Sequence, residues 1–404
     1  MANIMNPAVL PGFSRKVMKG AFQILPQLDI ANVEQPGARG LVGKYCKEKG
    51  YKRALVVTGP HIGKSELSKK LYSGLEEEGI EYTIFDGVKS DPVFSGCKAG
   101  SDMAKAKHVD VVIAFGGGSV LDTAKIIAGT LAYPDSPFAR FTIPFTVFKQ
   151  FPLITIPTTA GTGCEVTFGS VISDDKTHMK RGVGGPGYTP QISFLDVETT
   201  MDLSPKMTAA TGMDAMSHVM ENYLSAVPDK ECKAMCKTAI KDIFEYLPRA
   251  YHNGANDMEA RVKMMECARV GGISINRSGA VHGHALAHAI GGVYHLPHGE
   301  ICGIILPEIV RFYQIPCAPQ LARLAIYCGL GTVSEDRETL AARLVDHVFA
   351  LRKELDLPEK IKGMNKYDLE AVKKEFWTQA MLFPSPVSMT EEELDAILYN
   401  LAEN

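Results

Sequence analysis

Between residues 53 and 157 the chain repeats one pattern, in which a short run of apolar, often β-branched residues is followed by a stretch of helical composition. The runs are Arg53–Thr58 (RALVVT), 82–85 (YTIF), 109–115 (VDVVIAF) and Leu153–Pro157 (LITIP). Runs that are apolar throughout, without in/out alternation, predict strands covered on both faces. Strands separated by helices are joined by crossovers and therefore lie parallel. The expectation is an open, mostly parallel α/β sheet that binds its ligands beyond the carboxyl ends of the strands.

At 404 residues the chain exceeds what one ordinary core supports. Beyond about residue 201 the strand pattern stops, and Ala-, Met-, Leu- and Glu-rich segments such as 229–250 and 257–270 predict helices. Ser204 followed by Pro205 fits an N-cap and first helical turn. The division expected is an α/β domain over 1–200 and an all-α domain over 201–404, with no long linker and the halves packed around a cleft.

A content of 46% hydrophobic and 22% charged residues describes a folded globular chain. The net charge is −3 and no basic run is present to neutralise a row of phosphates, which excludes nucleic acid as a partner. No apolar stretch approaches the roughly 18 residues of a membrane helix. The segment MANIMNPAVLPGF has no basic stretch followed by an apolar one, so a cytoplasmic protein without a membrane partner is expected. Nine cysteines are scattered from Cys46 to Cys328, and Cys232 and Cys236 miss the CxxC spacing. They predict reduced, buried thiols.

The run 109–115 leads straight into Gly116-Gly117-Gly118-Ser119 and then a helical stretch containing Asp122. A strand, a glycine turn and a helix N-terminus together present backbone N–H groups to an anion and let a pyrophosphate come close. The sequence is not GxGxxG, and a tight strand-to-helix connection would use the same residues. A second loop, PTTAGTGCEVT over 157–167, follows another strand and offers threonine hydroxyls to the same ligand.

Five of the eleven histidines lie between His282 and His298, in VHGHALAHAIGGVYHLPHG. Upstream, Asp214 and His218 stand four apart on one expected helix, so both side chains point the same way. His284 and His288 repeat that spacing on a second helix, expected to end at Gly291-Gly292, and Pro297-His298-Gly299 opens a third. Only some of these side chains can reach one ion. His282 faces away from His284, and His295 sits in a loop, so both are assigned to structural roles or to supporting the ligands from outside the ion's contacts. A carboxylate with imidazoles suits Fe²⁺ or Zn²⁺ and is poor for Mg²⁺ or Ca²⁺.

These motifs resemble the iron-containing, or group III, alcohol dehydrogenase family. The matching segments are GGGSVLDTAK (116–125), PTTAGTGCEVT (157–167), GMDAMSH (212–218) and HALAHAIGGVYHLPHG (284–299). The resemblance implies a dinucleotide-binding α/β domain followed by a helical, metal-binding catalytic domain. It implies Fe²⁺ or Zn²⁺ on Asp214, His218, His284 and His298, with His288 in proton transfer. Its cofactor contacts fall on Gly117, Gly118, Ser119, Asp122, Thr158, Thr159, Thr162 and Lys180. It also implies a homodimer or larger assembly.

The sequence departs from the family pattern at three places. Gly59 stands where many NAD-using relatives carry an Asp, which leaves both NAD and NADP open. Cys164 replaces a commoner Ser or Ala, and Ser385-Pro386 replaces Asn-Pro. The activity expected is NAD(P)-dependent oxidation of small alcohols or reduction of aldehydes by direct hydride transfer. The rivals are a zinc polyol dehydrogenase resembling glycerol dehydrogenase, a lyase resembling dehydroquinate synthase that uses NAD transiently, and a non-catalytic metal- or nucleotide-binding protein.

Overall fold

The computed structural model describes Gly20 and residues 30–404, apart from His178 and Leu382. The chain forms two compact units, one ending at Leu203 and the other starting at Ser204.

The first unit is built on strands β1 (Ala31–Glu34), β2 (Arg53–Thr58), β3 (Glu81–Phe85), β4 (Val111–Gly116), β5 (Leu153–Pro157) and β8 (Ile192–Leu195). They form one parallel sheet in the order β1-β8-β5-β4-β2-β3. Alternate residues feed two separate cores: Ala54, Val56, Ile113 and Ile154 pack on one face, and Leu55, Val57, Val112 and Leu153 on the other. Burial on both faces is why the runs of β2, β4 and β5 read as continuously apolar; the run over 82–85 departs from that expectation, because β3 lies at the sheet edge and leaves Ile84 exposed. The strand expected over 109–115 starts two residues later, at Val111, and runs on into Gly116.

Helices α1 (Val42–Lys49), α2 (Glu66–Glu77), α3 (Phe94–Ala106) and α4 (Gly118–Ala132) connect the first strands and cover the sheet. Strands β6 (Gly169–Ser173) and β7 (Lys180–Gly184) form an antiparallel hairpin outside it. The chain passes from β2 outward to β3 and returns on the other side of β2 to form β4, so the strand order reverses between β2 and β4. Ligands of open α/β sheets bind at that reversal, beyond the carboxyl ends of the strands. Here those ends are Thr58-Gly59 and Gly116-Gly117.

The second unit is helical. It contains α5 (Pro205–Leu224), α6 (Lys230–Asn253), α7 (Met258–Ser278), α8 (His282–Tyr294), α9 (His298–Phe312), α10 (Ala318–Tyr327), α11 (Arg337–Glu354), α12 (Glu370–Ala380) and α13 (Glu391–Leu401). Ser204 caps α5 by accepting the Met207 N–H, with Pro205 in the first turn. From Gly212 to Leu224 every residue of α5 is buried, so polar side chains on it are held in a dry interior. Helix α8 does not stop at Gly291-Gly292: it continues to Tyr294 and ends at His295, whose φ of 55° is left-handed. Both glycines are buried, and the packing of that turn offsets the roughly 1 kcal/mol that each glycine costs inside a helix. Among the described residues no single helix is long and apolar enough to cross a membrane.

Candidate metal centre and dinucleotide loops

Three helices deliver the polar side chains of the second unit. Helix α5 carries Asp214 and His218 one turn apart, α8 carries His284 and His288, and α9 opens with His298. Asp214 Oδ1 lies 3.9 Å from His218 Nε2, 3.7 Å from His284 Nε2 and 3.6 Å from His298 Nε2. These separations are too long for hydrogen bonds. Asp214 Oδ1 and His284 Nε2 are nevertheless buried with no hydrogen-bond partner, a costly arrangement for a native interior. Two donors at roughly 2.1 Å from a shared tetrahedral ion stand about 3.4 Å apart. The cluster is a few tenths of an ångström wider than that, so the residues fit a divalent cation.

The donor atoms of Asp214, His284, His298 and Cys302 all lie within 4.8 Å of one another. His218 meets this set at Asp214, and its ring stacks on that of His284 with centroids 4.3 Å apart. The expected ligands Asp214, His218, His284 and His298 are thus brought together, and Cys302 joins them. Side-chain exposure rises from 3% at Asp214 through 5% at His284 to 28% at His298. The pocket therefore opens on the His298 side. His288 is half-buried there, its ring 5.3 Å from that of His298 and 6.2 Å from that of His284.

Glu221, one turn beyond His218, organises the cluster from behind. Its Oε1 lies 2.7 Å from His284 Nδ1, and its Oε2 accepts the Val281 N–H at 2.7 Å and the His284 N–H at 3.3 Å. A proton on Nδ1 that donates to Glu221 leaves the Nε2 lone pair facing Asp214, the tautomer a metal ligand requires. Gly283 has no side chain because a Cβ there would sit 2.4 Å from Glu221 Oε1. Burial opposes ionisation of Asp214 and Glu221, yet the histidines around them hold both below the usual carboxylate range. His218 is pushed down to about 4 by burial and by His284. Burial also lowers His284, but Glu221 and Asp214 outweigh it and draw that ring up to about 10. A divalent cation displaces the Nε2 proton that Asp214 favours on His284 and neutralises the two buried carboxylates.

Glu221→Gln keeps the shape but removes the charge that orients His284. It is expected to weaken metal binding roughly 10- to 100-fold, the usual effect of losing a partner of a ligating histidine. Competition against a chelator measures this, and unchanged affinity would remove Glu221 from the orienting role.

His282 and His295 lie outside the donor group. His282 Nδ1 shares a hydrogen bond with the Tyr313 hydroxyl at 2.8 Å, and burial pushes the ring down to about 4, so it stays neutral. His295 ends α8, its N–H bonded to Gly291 O.

In the α/β unit the two expected loops meet. A Cβ at Gly118 would lie 2.7 Å from Thr162 Cγ2, and one at Gly117 would lie 3.3 Å from Thr159 Cγ2. The threonine loop thus presses against the glycine turn where α4 begins, and Thr158 N–H bonds to Gly116 O at 3.0 Å. Gly117, Gly118 and Ser119 stay half-exposed, and the first turn of α4 holds no acidic residue that would repel an anion. This cradle suits a pyrophosphate.

Other expected contacts are engaged elsewhere. The Ser119 hydroxyl donates to Ser90 O, and Asp122 accepts the Val171 N–H at 2.9 Å, fixing the β6–β7 hairpin. Lys180 is ion-paired with Asp91 at 2.7 Å. Sequence reasoning missed Glu221 and Cys302. The first carried a signal, since it stands three residues after His218 and seven after Asp214, on one helix face.

A glycine cradle suited to a pyrophosphate at the switch point of a parallel sheet, together with a buried carboxylate–imidazole pocket in a helical unit, is the combination expected of a metal-dependent nicotinamide oxidoreductase. Residues 32–197 match the family model described as iron-containing alcohol dehydrogenase, and residues 208–402 match that of the Fe-containing alcohol dehydrogenase family, C-terminal. Alcohol dehydrogenase 4 of Saccharomyces cerevisiae is 33% identical over 90% of this chain and 94% of its own length. The NAD-dependent methanol dehydrogenase of Bacillus methanolicus is 31% identical over 92% and 97%. A solved 1,3-propanediol oxidoreductase superposes with a TM-score of 0.88 at 27% identity, covering 93% of this chain and 99% of that one. The chain belongs to the iron-containing alcohol dehydrogenase family. It is an NAD(P)-dependent alcohol dehydrogenase, and neither a lyase nor a zinc polyol dehydrogenase finds support among these matches.

Proposed function

We propose that residues 1–200 serve as the dinucleotide-binding domain and 201–404 as the catalytic one, interconverting short alcohols and aldehydes. The observation that carries this is the buried Asp214 oxygen facing three imidazole nitrogens at 3.6–3.9 Å. Asp214, His218, His284 and His298 hold Fe²⁺ or Zn²⁺. A divalent cation held there polarises the substrate oxygen and lowers the pKa of an alcohol. The backbone N–H groups of Gly117, Gly118 and Ser119 bind the pyrophosphate of NAD or NADP, and the hydroxyls of Thr158, Thr159 and Thr162 bind beside it. Asp122 holds the hairpin over this site, and Lys180 stands at its rim. His288, on the open side of the pocket, relays the alcohol proton to solvent.

The substrates for which these relatives are named, methanol and 1,3-propanediol, set the size range to try first. An anaerobic steady-state screen of short alcohols and aldehydes with both cofactors, on protein of known metal content, tests the proposal. Turnover of at least one pair is expected. Silence across the panel with metal bound would favour a non-catalytic binding protein.

Gly59, at the carboxyl end of β2, leaves room for a 2′-phosphate. A Cβ there meets only Val88 O, at 3.7 Å. Gly59→Asp therefore fits sterically and adds a negative charge where an acidic residue bonds the ribose 2′-hydroxyl. Repulsion of roughly 1–4 kcal/mol from a phosphate near 4 Å lowers kcat/KM with NADPH relative to NADH by about fivefold or more. An unchanged ratio would place the adenosine ribose elsewhere. Free, mostly buried cysteines support work in a reducing cytosol. A homodimer or larger assembly, as in the family reading, is checked by light scattering.

A further inference from the structure

The cation pocket contains a donor that the carboxylate–imidazole reading leaves unused. Cys302 lies one turn after His298 on α9, is 1% exposed, and places Sγ 3.5 Å from His298 Nε2. Its sulfur is one of the four donor atoms, with those of Asp214, His284 and His298, that lie within 4.8 Å of one another. The pocket also holds buried polar atoms with nothing to bond, Asp214 Oδ1 and His284 Nε2.

Two glycines fix the sulfur there. A Cβ at Gly299 would lie 2.6 Å from Ala210 O, and one at Gly303 would lie 3.2 Å from Met213 Cβ. Helix α9 can therefore lie flush against α5 over the turns that carry His298 and Cys302, beside the turn that carries Asp214.

We propose that Cys302 is a sulfur donor of this cation site, so that the pocket offers a mixed carboxylate, imidazole and thiolate set selecting thiophilic divalent ions. The proposal rests on the reading of Asp214, His284 and His298 as ligands. Sulfur bonds such ions at about 2.3 Å, longer than nitrogen or oxygen at about 2.0–2.2 Å. A sulfur and a nitrogen at those distances from one tetrahedral ion stand about 3.6 Å apart, which the 3.5 Å between Cys302 Sγ and His298 Nε2 matches. A thiolate favours Zn²⁺ and Co²⁺ and disfavours Mg²⁺ and Mn²⁺. Binding releases the thiol proton to solvent.

The test is an anaerobic titration of the metal-stripped full chain with Co²⁺, followed by absorption. One Co²⁺ per chain is expected, with visible ligand-field bands and a near-ultraviolet sulfur-to-cobalt charge-transfer band. In Cys302→Ser, and in Cys302→Ala should the serine variant fold poorly, the visible bands persist and the near-ultraviolet band disappears. Zn²⁺ affinity falls by about tenfold or more, the order seen when a group supporting a metal site is lost. Visible bands without a charge-transfer band in the unaltered chain, or a band that survives both substitutions, overturn the sulfur donor and leave the carboxylate–imidazole site standing. No uptake of Co²⁺ at all overturns both.

Discussion

Asp214→Ala is expected to yield a folded chain that retains no metal and turns over at least about a thousandfold more slowly. Asp214 Oδ1 lies within 4 Å of the Nε2 atoms of His218, His284 and His298. Its removal takes away the negative charge shared by all three imidazoles, and Glu221 does not replace it because its oxygens are engaged by His284 Nδ1 and two backbone N–H groups. A Lewis acid supplies several kcal/mol of charge stabilisation, and each 1.36 kcal/mol is a factor of ten in rate. Metal analysis and kcat on the same preparation measure the two losses, and circular dichroism confirms the fold. A variant with a normal metal complement would show that the cation is held elsewhere.

His288→Ala separates proton transfer from metal binding. The ring stands beside the donor cluster, half-buried on its open side. The substitution is expected to leave metal content intact and to lower kcat about 10²- to 10⁴-fold, the range for a general acid–base group. A purely structural role would also lower activity, so the decisive readout is the pH profile: one ionisation disappears from kcat. An unchanged profile with full activity would end the role given to His288.

The sheet was legible in the sequence where burial was complete. Leu55, Val57, Ile113, Ala114, Ile154 and Ile156 have no face toward water, and their runs predicted the interior strands β2, β4 and β5 closely. Strands β1 and β8 escaped notice because they are only four residues each, and β1, at the sheet edge, carries the exposed Ala31 and Glu34. The hairpin β6–β7 escaped because Gly169, Gly182 and Gly184 dilute its β-propensity.

Gly291-Gly292 read as a helix stop because intrinsic propensity is all that a sequence shows at such a place. Burial of both residues carried the helix past them. In the site, helical spacing placed Asp214 beside His218 and kept His282 apart from His284. Convergence of α5, α8 and α9 on one point is a product of tertiary packing that spacing cannot encode, so His284 and His298 were singled out by the family resemblance. Cys302 was passed over because a lone cysteine on an apolar helix reads as a small hydrophobe.

The central claim is that alcohol oxidation depends on one divalent ion at the Asp214 cluster. Anaerobic titration of chelator-stripped protein with Fe²⁺, and separately with Zn²⁺, tests it most directly when NAD(P) reduction by a short alcohol is followed at each addition. Activity is predicted to start near zero and to rise linearly until it breaks at one equivalent per chain with at least one of the two ions. Full turnover by the stripped protein, or no response to either ion, would contradict the account.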